Sequence, residues 1–232
     1  MSLRDLNIEA RRQRILEAAR RLIAAGGVEA LTMRKLAAEA DLSVTTLYNL
    51  YGVRAEILHA LVDDAVDRIV GVIDAEAPLD DPLERCRAVI TVSVRELSKR
   101  AGIHVPMVIA NYGGLPDAQP DRRLAKRAAA MQQRGIEQAI AQGLLQDTRN
   151  PEQLGLQIYH GFELACIQWG YGLLTPAEFE ARALYGLYLA LASVATDATR
   201  ASIDAELHRL ERQLARTGAG DRARPKARRR SA

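Results

Sequence analysis

Apolar residues recur at three- and four-residue intervals along almost the whole chain, and no stretch keeps the strict alternation of a half-buried strand. Stripes of that kind are buried by packing helix on helix, so the predicted fold class is all-α. The punctuation between helices is explicit. Asp81-Pro82-Leu83-Glu84 and Thr175-Pro176-Ala177-Glu178 each join a capping side chain, a proline at the first helical position and a glutamate three residues past the cap. Asn150-Pro151 opens a helix in the same way without the acid. These signals predict helices over about 82–100, 151–174 and 176–196. Around them the pattern predicts a first helix from about Glu9 to Ala25, closed by Gly26-Gly27, then two short helices and a long fourth one beginning near Arg54. Further on it predicts a short segment from Ile103 to Tyr112 broken by Pro106, a loop from Asn111 to Pro120, a helix over about 121–145 and a last one from about Thr199 to Arg216. Gly218 and Gly220 then open a basic tail, expected to be disordered.

With 232 residues, 48% of them hydrophobic and 26% charged, the chain has enough apolar content for a core and too much for general disorder. No apolar run approaches the roughly 20 residues that span a bilayer, and Met1 to Arg14 lacks a signal-peptide core, so no membrane partner and a cytoplasmic location are expected. Cys86 and Cys166 stand alone, without metal-ligand spacing, and are read as reduced core residues. The charge is polarised: residues 1–55 and 216–232 carry a basic excess, while 56–215 are acidic. Contact with a polyanion is therefore expected from the ends.

The most informative segment runs from Leu31 to Tyr51. Thr32 can cap one helix with Leu31 stapled onto Leu36, and Ser43 can cap a second with Leu42 stapled onto Leu47, the two joined by a tight turn at Asp41. Leu36, Ala37, Ala40, Leu42 and Leu47 form the seam of the pair. This is the pattern of a helix-turn-helix. The second helix keeps Val44, Thr45, Thr46, Tyr48 and Asn49 outward, side chains suited to base edges, thymine methyls and phosphate oxygens, with no glutamate among them.

At Leu42-Ser43, Thr46-Leu47-Tyr48, Tyr51 and Arg54, and at Leu31-Thr32-x-Arg34-x-Leu36-Ala37 before them, the chain resembles the tetracycline-repressor (TetR) family. The resemblance implies an N-terminal three-helix DNA-binding domain containing the helix-turn-helix and a larger C-terminal helical domain for effector binding and dimerisation. Phosphate contacts from Thr46, Tyr48 and Arg54 follow from it, with Arg34 a candidate reader of guanine. Thr32, Ser43, Val44, Thr45 and Asn49 complete the expected DNA-binding set. Val44, Leu50 and Val53 depart from the residues usual at their positions, Val53 where a serine or asparagine commonly caps the fourth helix.

Seven of the ten aromatics fall between Tyr159 and Tyr188. On the helix after Asn150, Leu154, Ile158, Phe162, Ala165 and Trp169 make one stripe and Leu156, Tyr159 and Ile167 another. A helix apolar on two faces needs two partners, one of which can be its copy across a two-fold axis. A homodimer is expected, with Phe162, Trp169, Tyr185 and Tyr188 in its interface, on a palindromic double-stranded operator. Polar or soft residues embedded in apolar context are Arg87, Ser93, His104, Met107, Asn111, Tyr112, Tyr159, His160, Glu163 and Cys166. Of these, His104, Met107, Asn111, Tyr112 and Glu163, with Trp169, are the candidate contacts to a small-molecule effector in the pocket that the resemblance implies.

An enzyme is not expected. His160 and Glu163 lie one turn apart, yet a carboxylate-bridged di-metal bundle needs two Glu-x-x-His pairs, and no HExxH, GxSxG, phosphate loop or Cys-His pattern occurs. No cofactor or metal is expected. The predicted organisation is residues 1–53 for DNA binding, 54–217 for effector binding and dimerisation, and 218–232 as the basic tail. The predicted function is a ligand-responsive, sequence-specific regulator of transcription, a repressor released by a small molecule.

Overall fold

In a computed structural model, residues 2–77, 80–112 and 122–221 are described. They form ten α-helices: α1 (Leu3–Gly26), α2 (Met33–Glu39), α3 (Val44–Tyr51), α4 (Arg54–Glu76), α5 (Pro82–Lys99), α6 (Ala101–Tyr112), α7 (Arg122–Ala141), α8 (Pro151–Gly170), α9 (Pro176–Ala192) and α10 (Asp197–Asp221). A 3₁₀ turn, Val28–Ala30, joins α1 to α2. Among the described residues the fold is all-α. None of these helices is long and apolar enough to cross a membrane.

The caps act where the residue types place them. Thr32, Ser43, Asp81, Asn150 and Thr175 each accept a hydrogen bond from the backbone N–H three residues on, and Glu178 reciprocates at Thr175 to complete a capping box. A further box, Ser2 with Asp5, starts α1 six residues before the expected Glu9. α6 is a correction. Pro106 lies inside it without ending it, although it leaves the Gly102 carbonyl without its helical donor. α10 runs to Asp221, through the glycines expected to end it. The loop from 113 and the tail from 222 lie outside the described residues.

Three clusters of buried side chains hold the helices. The largest joins α5 to α7–α10 around Ile90, Ile136, Ile158, Trp169, Phe179, Leu187 and Ile203. A second joins α1–α3, the start of α4 and the inward face of α6 around Ile15, Leu36, Leu47, Ile57 and Ala110. A third packs the end of α4 on α5 through Ile69, Ile73, Val89 and Val92. Leu145 after α7 pairs with Ala195 after α9, and the Thr199 hydroxyl donates to the Leu144 carbonyl at 2.8 Å, tying the two helix ends together.

α7 and α8 approach so closely at Gly155 that a Cβ there would lie 2.7 Å from the Ala129 carbonyl oxygen. In an open helix, glycine to alanine gains about 1 kcal/mol of helix propensity. At Gly155 the obstacle is backbone, so overpacking outweighs that gain, and Gly155→Ala should destabilise the protein by about 1–3 kcal/mol. Gly71→Ala on α4, where nothing stands within 4 Å, should not. Thermal unfolding of both variants checks this, and a Gly155→Ala midpoint at or above that of the parent chain contradicts the packing argument.

Candidate nucleic-acid interface and effector cavity

The turn between α2 and α3 is built by short-range rules and locked by one arginine. Asp41 adopts φ 52°, a left-handed conformation that aspartate tolerates better than most residues. Arg14 of α1 donates to the carbonyls of Ala40 and Asp41 at 2.7 and 3.2 Å, so the first helix holds the turn from behind. Leu36, Ala37, Ala40 and Leu47 are buried in the seam and Leu42 half-buried. Arg21 pairs with Glu39 at 2.6 Å and Arg20 with Asp64 at 2.5 Å, so much of the basic first helix serves as internal bracing. Arg12 stands 6.0 Å over the ring of Tyr51, whose hydroxyl is pushed above its ordinary pKa, first by burial.

The outward face of α3 carries Val44, Thr45, Tyr48 and Asn49, with Tyr48 51% exposed. Thr46 is half-buried, its hydroxyl 2.8 Å from that of the capping Ser43. Thr32 and Arg34 are exposed at the start of α2. Thus Thr32, Arg34, Ser43, Val44, Thr45, Thr46, Tyr48 and Asn49 lie along two neighbouring helix starts and one face. Arg54 is placed differently: half-buried, it donates to the carbonyl of Val28 at 2.7 Å. Val53 caps α4 without a side-chain bond.

Behind this unit, a cavity of about 190 Å³ lies between α4, α5, α6, α7 and α8. Leu58, Val62, Ile69, Leu97, Met131 and Phe162 contribute to its apolar wall, and Val28 of the 3₁₀ turn also lines it. Its polar groups are few. The Tyr159 hydroxyl donates to Glu163 at 3.1 Å, and the Ser93 hydroxyl donates to the Val89 carbonyl of its own helix at 2.6 Å. His104 is 9% exposed, and burial, followed by the charges of Arg68, Arg100 and Arg20, pushes its pKa down to about 4, so the ring is neutral near pH 7. Burial, with Glu163 beside it, pushes the Cys166 thiol up to about 12 and keeps it protonated. His59 presents an Nδ1 shielded from solvent and unbonded among the described residues. Asp63 on the wall is held by Arg127 of α7, which also takes Asp67.

Of the six expected effector contacts, His104, Met107 and Glu163 line this cavity. Trp169 does not: it is 6% exposed, stacked on Phe179 at 5.6 Å inside the largest core. Asn111 and Tyr112 end α6, and their side chains lie outside the described part. His59, Met131 and Phe162 line the cavity without having been expected there, and Ser93, Tyr159 and Cys166 carried only the signal of a polar group among apolar neighbours.

The expected dimer residues also separate. Phe162 is on the cavity wall, tilted against Phe179 at 5.2 Å, and Trp169 has no surface to offer a partner. The Tyr185 hydroxyl donates to Glu211 of α10 at 3.2 Å, and Tyr188 is half-buried with its hydroxyl pushed up to about 12, first by burial and then by Glu206. The apolar side chains left facing out on α8 and α9 are Leu164, 59% exposed, and Leu189, 49% exposed.

Residues 15–61, which span most of α1, all of α2 and α3 and the start of α4, match the family model described as bacterial regulatory proteins, tetR family. No curated protein matches the sequence. Solved structures similar to this one include a TetR transcription regulator from Haloarcula marismortui, with TM-score 0.64, 16% identity, and 81% of this chain and 100% of that one covered. Another is a TetR-family transcriptional regulator from Pectobacterium atrosepticum, with TM-score 0.63, 21% identity, and 85% and 99% covered. A third is SmeT, the repressor of the Stenotrophomonas maltophilia multidrug efflux pump SmeDEF, with TM-score 0.60, 18% identity, and 80% and 91% covered. Residues 15–61 are thus a tetR-family DNA-binding regulatory domain, carried on a chain with the fold of TetR-family transcriptional regulators.

Proposed function

We propose that the chain is a homodimeric repressor that binds a palindromic operator through the outward face of α3 and is released by a small, largely apolar molecule held in the cavity. The observation that carries this reading is the double role of Val28: it is among the residues that line the cavity, and its carbonyl holds Arg54 at the start of α4. A ligand favouring a different seat for α4 against that turn would alter the DNA-reading unit through a direct contact. Its binding energy acts only as the difference between the two seats. In this reading residues 1–53 read DNA, 54–217 hold the effector and the partner subunit, and the protein works in the cytoplasm. SmeT, similar in fold, is described as a repressor.

On the operator, Val44, Thr45, Thr46, Tyr48 and Asn49 enter the major groove, Thr32 and Ser43 lie beside phosphates at the helix starts, and Arg34 reads a base. Arg54 anchors α4. The second subunit covers the outward stripe of α8 and α9 that contains Leu164 and Leu189, about a two-fold axis.

A single short palindrome protected in footprinting is the first expected outcome, and broad or absent protection rejects the repressor reading. On that operator, Tyr48→Phe and Thr46→Ala should each weaken binding by about 1–2 kcal/mol with the fold intact, since each loses a hydrogen bond to phosphate. Arg34→Ala should relax the preference at one position per half-site by about 1–3 kcal/mol. Fluorescence anisotropy measures these, and unchanged affinity in both Tyr48→Phe and Thr46→Ala removes α3 from the docking face.

For the dimer, Leu164→Glu combined with Leu189→Glu should yield folded monomer in sedimentation, because carboxylates buried against a partner lack counter-charges. An intact dimer places the contact elsewhere. Compounds found by thermal shift to stabilise the protein should lower operator affinity, and Val66→Trp, on the cavity wall and outside the three clusters, should remove that response while leaving operator binding. If stabilising compounds bind and none changes DNA affinity, the effector role is wrong.

A further inference from the structure

Beside the cavity, and separated from it by the His104 and Met107 side chains that line both, lies a smaller cleft where α1, α4 and the junction of α5 with α6 meet. Arg20 of α1, Arg68 of α4 and Arg100, which follows α5, line it together with Leu61 and Ile103. Asp64 answers two of them, taking Arg20 at 2.5 Å and Arg68 at 3.2 Å. Glu96, the next acid to act on Arg68, is engaged with Arg95 and Lys99. Arg100 makes no ion pair among the described residues. Arg20, Arg68 and the solvent-exposed Arg100 stand around one carboxylate, which leaves the cleft with surplus positive charge where α1, α4 and the start of α6 are pressed together.

His104 supplies an independent observation. The residue is nine-tenths buried, lines the cleft, and its ring makes no hydrogen bond among the described residues. Neutral at pH 7, it has one ring N–H to donate. The cleft holds about 10 Å³, the room of one water-sized group, so a bulky organic acid does not fit.

We propose that this cleft is a small-anion site, filled by chloride or by one oxygen of inorganic phosphate, and that the anion holds α1 against α4 and α6. The anion neutralises the mutual repulsion of Arg20, Arg68 and Arg100, and Arg100 and His104 supply donors that Asp64 does not use. The lowering of the Arg68 pKa, by burial and then by Arg100, agrees with an arginine cluster short of negative charge. The site stands apart from the effector reading and can fail or hold without it.

The test is thermal unfolding of the full chain at fixed ionic strength in sodium gluconate, sodium chloride or sodium phosphate, gluconate being too bulky to enter. The unmodified chain should melt a few degrees higher in chloride or in phosphate than in gluconate, and which salt does so identifies the anion. Arg100→Gln should lose that difference and melt higher than the unmodified chain in gluconate, because one of the repelling charges is gone. Loss of a merely structural arginine would lower the midpoint in all three salts. Arg212→Gln, exposed on α10, controls for general salt effects and should keep the difference. No anion-dependent difference in the unmodified chain, or an equal one in Arg100→Gln and Arg212→Gln, overturns the proposal.

Discussion

α6 has to satisfy two cores at once. Ile103, Met107 and Ala110 pack into the cluster that holds α1–α3 and the start of α4, while Val105 and Val108 pack against the large cluster of α5 and α7–α10. Close approach reinforces the second contact, since a Cβ at Gly170 of α8 would lie 2.8 Å from a Val108 methyl. α6, together with α4, which runs from the second cluster into the third, thus fixes the DNA-reading unit on the rest of the molecule, and close-packed cores do not deform continuously. A shift of α6 or α4 must therefore be a change of seat, which is the kind of element that couples two sites.

The charges follow the same geometry. Arg14, Arg20, Arg21 and Arg54, read from the sequence as part of a basic end, spend their donors on Ala40, Asp64, Glu39 and Val28. They tie α1 and the start of α4 to the segments around the helix-turn-helix. Arg34 and Lys35 at the start of α2 remain exposed beside the short and polar side chains on the outward face of α3.

In the cavity, the hydroxyls of Tyr159 and Ser93 are occupied by Glu163 and Val89, His104 is neutral and Cys166 stays a thiol. The space is apolar in most directions with a few groups able to orient a guest, which is how binding sites for small molecules are usually constructed.

The amino-acid order by itself determined the all-α class, most of the helix starts and the helix-turn-helix of α2 and α3. Caps, staples and turn residues act between positions three or four apart, and such rules need no knowledge of the rest of the chain. The missed Ser2–Asp5 box and the proline kept inside α6 are failures at that same short range, not of the principle. Only the tertiary structure decided which partner each apolar face meets. Periodicity showed that α8 is apolar on two faces. It could not say that Trp169 goes to the inner core, that Phe162 goes to the cavity or that Leu164 stays outside. Those choices depend on helices far away in sequence, on the 2.7 Å approach at Gly155 and on the seat of α6. Arg54 illustrates the same limit: its charge was legible, but its hydrogen bond to the Val28 carbonyl depends on the fold of the turn beside it.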